Sequence, residues 1–503
     1  MTELDPLRDF SFDSASQRSL QSQIYQGLKS RILKGRLQPG TRLPATRKLA
    51  EFMSVSRNTV NAALDQLKSE GYLESKPGSG CFISEHLPET YLTAQKVSRS
   101  SAGEHSLERV NKQHRRLQLS AFSQALGAVP IKQQVENGSF EAGVPDLKAF
   151  PTKRWAQIIH HQSQRSSLMG YDNPQGYLPL REVLADYLRT SRGVDCNACE
   201  IVITAGAQQA SNLALQVLLD QGDSVYVEDP GYIGFRKAVQ ANGGQVIGLP
   251  VSSQGLDLDF LPKAPSGKVM YITPTHQYPM GGIMPLGNRM KLLQWAADHG
   301  VWVLEDDYDS EYHYEHKPIA AIQGLGLKEQ VLYIGSFSKV MFPGLRLGYL
   351  VVPERLVDAC VKAKNFMSGH SPILEQAATA EFIQSGLFIR HLRQMRVLYQ
   401  DKHNEMLRAC KTHLADFMTA IYTGAGMHLV LVFKGALQDN HTSDVKVVEA
   451  MALRGIQGGA LSSYYVEKHR ENGLVLGFSN TNVADIERGV LRIRQAVEAC
   501  LDH

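Results

Sequence analysis

A small α+β helix-turn-helix unit followed by a large α/β domain on a mostly parallel sheet is the multidomain fold class that the sequence predicts. Three observations predict it. Between residues 17 and 84, apolar residues recur at helical spacing and stop at turn signals. Beyond residue 130, short β-branched runs alternate with helical patterns, as in a sheet covered on both faces. The stretch 85–130 between them is polar and aperiodic, and Ser-rich at 96–106, as expected of a linker. The expected boundaries are therefore 14–84, a linker at 85–130, and 131–503, with a large lobe at about 165–365 and a small C-terminal lobe.

Composition agrees and adds a charge asymmetry. The chain has 503 residues, 43% apolar and 20% charged, which excludes disorder, collagen and coiled coil as whole-chain descriptions. Lys and Arg number 53 and Asp and Glu 50, a net +3 that by itself points to no polyanionic partner. Residues 16–84, however, hold 11 Lys and Arg against 4 Asp and Glu, which is +7 and leaves −4 for the rest. A basic module on a mildly acidic body suggests a nucleic-acid partner. No apolar run approaches the ~20 residues of a membrane span, and the acidic start does not read as a signal peptide, so a cytoplasmic protein is expected. The six cysteines are scattered. Cys196 and Cys199 lack the second pair that a zinc site needs, so no metal is expected.

In the basic module, Leu20, Ile24, Leu28 and Ile32 line one face of a helix at about 17–34, ended by Gly35 and the Pro39-Gly40 pair. A second, short helix turns Leu49, Ala50 and Met53 inward. Ser56 is placed to cap a third helix whose buried side is Val60, Ala63, Leu64 and Leu67, leaving Arg57, Asn58 and Thr59 at its exposed first turn. Such a turn meets DNA with backbone N–H groups, helix dipole and side chains together. Residues 71–74 and 81–83 read as strands flanking Lys76-Pro77-Gly78-Ser79-Gly80, a wing suited to the DNA backbone or minor groove. The run from Pro39 to Ile83 resembles the winged helix of GntR-type bacterial regulators. The resemblance implies contacts with double-stranded promoter DNA from Arg42, Arg47, Arg57, Asn58, Thr59, Lys76 and Gly78. Arg47 has a competing partner in Glu51, four residues on.

In the large domain the expected strands are 201–203, 224–227, 269–272, 301–304, 331–334 and 347–352. Ligands of such sheets bind beyond the carboxyl ends of strands. One strand ends in Thr204-Ala205-Gly206-Ala207-Gln208, a small-residue turn that opens a helix and suits a phosphate. Another ends in Glu305-Asp306-Asp307-Tyr308. A third ends in Gly335-Ser336-Phe337-Ser338-Lys339, with Arg346 seven residues on. An aldehyde cofactor with a pyridine ring and a phosphate needs an amine, a carboxylate for the ring nitrogen, and hydroxyls, Arg and N–H groups for the phosphate.

From Asn137 to Leu501 the domain resembles the fold-type I aminotransferases that use pyridoxal 5′-phosphate. The resemblance implies that Lys339 is the Schiff-base lysine, that Asp306 pairs with the ring nitrogen and that Tyr308 bonds the phenolic oxygen. It assigns the phosphate to Gly206, Ala207, Gln208, Ser336, Ser338 and Arg346, and stacking on the ring to Tyr232. Tyr171 would reach the phosphate of the neighbouring subunit in a dimer. Glu305 and Asp307 are expected to be structural.

Two departures count against transaminase turnover. The usual Asn-Pro-Thr-Gly turn is replaced by Tyr278-Pro279-Met280-Gly281 after His276-Gln277, and the late run Val475-Leu476-Gly477-Phe478-Ser479 lacks the Arg that holds a substrate carboxylate. Gly234 likewise offers no charge near Tyr232. The two halves together resemble the MocR/GabR subfamily of GntR regulators. That implies a head-to-tail homodimer responding to an amine, an amino acid or pyridoxal phosphate itself, with the departures tilting toward the cofactor. A residual half-reaction stays open, as does the alternative of a working aminotransferase with an accessory DNA-binding domain.

Overall fold

The computed structural model describes residues 18–76, 80–85, 140–315, 319–466 and 471–501, with a few isolated positions besides. The chain divides into two compact units, Met1–Leu117 and Gln118–His503.

In the first unit α1 (Leu20–Leu33), α2 (Thr46–Met53) and α3 (Arg57–Ser69) precede a hairpin of β1 (Leu73–Lys76) and β2 (Gly80–Ile83). The core faces expected of α2 and α3 are buried as read. In α1 the buried line is Ile24, Tyr25, Leu28 and Ile32, whereas Leu20, the first residue of the helix, is 46% exposed. Tyr25 packs inward because its hydroxyl is satisfied by the Glu70 carboxylate at the end of α3, 2.5 Å away. Strand β1 lies two residues later than the sequence suggests and β2 starts one residue earlier, pairing Leu73 with Ile83 and Lys76 with Gly80. Lys76 is therefore the last residue of β1, and Gly78 falls outside the described residues.

The second unit carries an eight-stranded sheet in the order β3 (Ile201–Thr204), β10 (Gly348–Val351), β9 (Val331–Ser336), β8 (Trp302–Asp307), β7 (Gly267–Ile272), β4 (Ser224–Asp229), β5 (Gln245–Ser252), β6 (Gly255–Leu256). Strands β4, β5, β7, β8 and β9 run parallel. Strand β10 is antiparallel to both β3 and β9, so β3 and β9 point the same way. Both faces are covered. Val225 and Val227 of β4 enter one apolar cluster and Tyr226 between them enters another, the two-residue alternation of a strand. Strand β5 was not expected, because Gly248 and Pro250 interrupt its apolar run. A second sheet, β11 (Met418–Ile421), β12 (His428–Phe433), β14 (Gly473–Gly477) and β13 (Gly459–Ala460), is antiparallel throughout and forms the small lobe. Among the described residues no helix is long and apolar enough to cross a membrane.

Candidate cofactor and DNA-binding sites

In the first unit the Ser56 hydroxyl accepts from the Thr59 backbone N–H at 3.1 Å and caps α3. That leaves Arg57 and Asn58 exposed and Thr59 half-buried at the first turn. Arg42 reaches the wing by a route the sequence did not disclose. Residues 41–43 pair with β2 through Arg42 and Phe82, with the Leu43 N–H donating to the Cys81 carbonyl at 2.8 Å. The Lys76 ammonium lies 5.1 Å over the Phe82 ring. Arg47 donates to Glu51 at 3.1 Å, an exposed pair that holds little energy and yields readily to a phosphate.

In the second unit β3, β8 and β9 run the same way, which brings their carboxyl ends to one cavity of about 540 Å³. Ala207, Gln208, Tyr232, Asp306, Tyr308, Ser336, Ser338, Lys339 and Arg346 all line it. Gly206 stands beside them with φ +95, a conformation that suits glycine, at the start of the helix Ala207–Leu218. Arg346, itself left-handed at φ 50, turns its guanidinium to the Ala205 carbonyl at 2.9 Å, so a cation and a helix N-terminus meet at this turn. Ser336 Oγ accepts from the Ser338 N–H at 3.1 Å. Tyr171 is not in the cavity. It is fully exposed and meets the His370 ring edge-on at 5.9 Å.

The carboxylates at the end of β8 divide by environment. Glu305 accepts from the Ile322 and Gln323 N–H groups at 2.9 and 3.0 Å, and Asp307 accepts from Arg192 at 2.7 Å and from Tyr333 at 2.5 Å. These are structural roles. Burial works against ionised Asp307, but the Arg192 guanidinium and the Tyr333 hydroxyl outweigh it and hold the carboxyl below its usual range. Asp306 differs. Tyr271 donates to its Oδ2 at 2.6 Å, while its buried Oδ1 has no hydrogen-bond partner among the described residues. Burial pushes its carboxyl up to about 7.

Lys339 Nζ donates to the Gly143 carbonyl at 2.6 Å. Gly143 has φ +75, a conformation that favours glycine, and a Cβ there would stand 2.6 Å from that nitrogen. The segment is pinned by Ser479 Oγ, which donates to the Val144 carbonyl, and by Lys402, which pairs with Asp146, each at 2.6 Å. Ser479 thus anchors backbone in the run where a late Arg was sought. In the altered turn, buried Gln277 donates to the Pro230 and Tyr278 carbonyls, both at 2.9 Å. Gly234 is constrained by packing, since a Cβ there would lie 2.5 Å from the Tyr232 ring. Gly143, Tyr271, Asp309 and His428 also line or support the cavity and were not singled out from sequence. Tyr271 sits inside a strand and read only as core. His276, Asp309 and His428 bring donor atoms within 4.8 Å of one another.

Comparison with known proteins accords with both halves. Residues 139–490 match the family described as aminotransferase class I and II, and residues 20–83 match the bacterial regulatory proteins of the gntR family. The chain is 35% identical over 478 residues to a probable rhizopine catabolism regulatory protein, MocR, of Rhizobium meliloti, covering 94% of this chain and 93% of that one. It is 28% identical over 479 residues to the pyridoxine biosynthesis transcriptional regulator PdxR of Corynebacterium glutamicum, covering 95% and 96%. Among solved structures it resembles LysN, the α-aminoadipate aminotransferase of Thermus thermophilus complexed with N-(5′-phosphopyridoxyl)-L-leucine, at 27% identity and a TM-score of 0.67, over 79% of this chain and 99% of that one. With a winged-helix unit and a fold-type I domain joined in one polypeptide, the chain belongs to the MocR/GabR subfamily of GntR-type transcription regulators.

Proposed function

We propose that this regulator binds pyridoxal 5′-phosphate at Lys339 and uses its occupancy to alter the grip of the winged helix on promoter DNA. The observation that carries this reading is the gathering of an amine, a lone carboxylate oxygen and a phosphate-sized cradle in one cavity. The cofactor, when bound, supplies an aldehyde that takes a primary amine and a ring that withdraws electrons. Lys339 offers the amine, and its present contact with Gly143 is released when it turns to the cofactor. Asp306 Oδ1 lacks a partner among the described residues and fits a ring N–H, which would return the carboxyl to its ionised form. The turn at Gly206, Ala207 and Gln208 with Ser336, Ser338 and Arg346 fits the phosphate, and Tyr232 closes over the ring.

Arg57, Asn58 and Thr59 enter the major groove in this reading, while Arg42 and Lys76 with the wing hold the backbone. The active species is a homodimer. Exposed Tyr171, with Phe366 93% exposed nearby in sequence to its neighbour His370, supports a surface that a second copy covers. The effector is the cofactor itself. Uncharged Gly234, the absence of Arg from β14 and the likeness to a pyridoxine biosynthesis regulator support that choice over an amino acid.

The test is binding of the purified chain to the DNA beside its own gene, with and without pyridoxal phosphate, together with steady-state assays on amino acids and keto acids. A cofactor-dependent change in affinity is expected. Sustained turnover at an ordinary enzymatic rate would favour a working aminotransferase instead, and a colourless protein would leave the large domain as a dimerisation scaffold.

A further inference from the structure

Behind Tyr308 lies a layer of polar side chains that none of these roles uses. His276 Nδ1 is 2.9 Å from Tyr308 Oη and 3.2 and 3.1 Å from the two Asp309 oxygens. Both His276 and Asp309 are buried, and His276 Nε2 has no hydrogen-bond partner among the described residues. A ring nitrogen carries at most one proton, and a carboxylate oxygen only accepts. The contact with Asp309 is therefore a hydrogen bond only when Nδ1 carries the proton. The opposite tautomer sets a lone pair against the carboxylate and buries an unpaired N–H, the costlier of the two orphans. With Nδ1 protonated, Tyr308 Oη faces an N–H and can only accept there. The tyrosine's own hydrogen has no other acceptor among the described residues, and the space in front of it is the cavity.

We propose that His276 and Asp309 are positioning residues that fix Tyr308 as a hydrogen-bond donor into the cavity, toward the phenolic oxygen of bound pyridoxal phosphate. The proposal rests on the cofactor reading above. The other titratable groups facing His276 do not compete for its proton. His428 of β12 and His313 beyond β8 are both pushed down to about 4 by burial, and burial also lowers His403 on the helix Leu387–His413. The replacement of the usual Asn turn acquires a reason, because His276 stands two residues before Tyr278 and acts through Tyr308.

The test reads the absorbance of the cofactor-loaded full chain as a function of pH. A donor to the ring oxygen stabilises its anion, so losing that donor raises the midpoint of the colour change, by about one pH unit or more for a hydrogen bond to a charged oxygen. Tyr308→Phe sets this scale. In Asp309→Asn no charged acceptor holds the proton on Nδ1, whose single lone pair then takes the hydrogen of Tyr308, and the midpoint rises toward that of Tyr308→Phe. Adding His276→Phe removes the competing acceptor and brings the midpoint back toward the parent value. An Asp309→Asn midpoint equal to the parent's, or no recovery in the double variant, overturns the proposal. Should Asp309→Asn not fold, ¹⁵N spectra of the histidine-labelled parent decide, with the His276 signal identified by its loss in His276→Phe. The Nδ1–H tautomer is expected there, and Nε2–H overturns the proposal. A chain that takes up no cofactor sinks both this and the underlying reading, whereas uptake with an unmoved midpoint sinks the His276–Asp309 role alone.

Discussion

Arg57 at the first turn of α3 is exposed to solvent, whereas Asp306 at the end of β8 is buried with one oxygen unpartnered among the described residues. The whole of each region follows that contrast. In the first unit Arg42, Arg47, Arg57 and Lys76 are all exposed, and the core beneath them is held by apolar contacts that do not depend on them. In the second unit Asp306, Asp307, Glu228 and Glu305 are all buried, each needing a hydrogen bond or an ion pair to be tolerated. An exposed basic face costs the fold little and waits for an external polyanion. A cavity lined by buried Asp306 and by Lys339 holds an unmet demand that a small molecule can satisfy. The difference teaches where each partner acts in the proposed reading: DNA binding adjusts a surface, and cofactor binding completes an interior.

Four substitutions sharpen or break this contrast. The largest effect is expected of Lys339→Ala, which should abolish the influence of pyridoxal phosphate on DNA affinity while leaving cofactor-free DNA binding intact. A cofactor response preserved in that variant, measured by fluorescence anisotropy, would show that the second unit senses by another route. Next comes Arg57→Ala. Loss of a base contact is worth roughly 1–3 kcal/mol, so affinity should fall about fivefold or more and sequence preference relax. Footprints matching the parent's would remove α3 from the groove.

Asp306→Asn should act through pH. Burial raises the folded carboxyl to about 7, above an unfolded value near ~3.9. Between those values the folded state keeps a proton that the unfolded chain releases, so this group's contribution is complete below about pH 4 and is lost as pH rises through about 7. Melting temperatures of the cofactor-free proteins should therefore shift in favour of the variant between pH 5 and pH 8, and a difference independent of pH would mean that Asp306 is not strained by its burial. Lys76→Ala is the mildest case. It should weaken DNA binding about equally for all sequences and reduce the salt slope by about 1. An unchanged slope would take the end of β1 off the backbone.

The same contrast governs what could be read from the residues alone. The gathering of Gly206, Asp306, Lys339 and Arg346 at one cavity was legible because strands that run the same way deliver the polar groups at their carboxyl ends to one place. The helix faces of α2 and α3 were legible from period alone. What stayed hidden works through backbone or through distance along the chain. Gly143 serves by its carbonyl, and the bridge to Phe82 comes from Arg42, in a segment that carries no strand signal. Strand β5 hid behind Gly248 and Pro250, which a position beside β4 tolerates. Asp309 looked like one more acid in a run of them until its distance to His276 separated it from its neighbours.

The claim that Lys339 holds the cofactor is tested most directly by chemical trapping. The full chain incubated with pyridoxal phosphate is reduced with borohydride, digested and examined by mass spectrometry. A phosphopyridoxyl group on the peptide containing Lys339, absent from Lys339→Ala, is the predicted result. A protein that gains no such group, or gains it equally on surface lysines of parent and variant, would contradict the account.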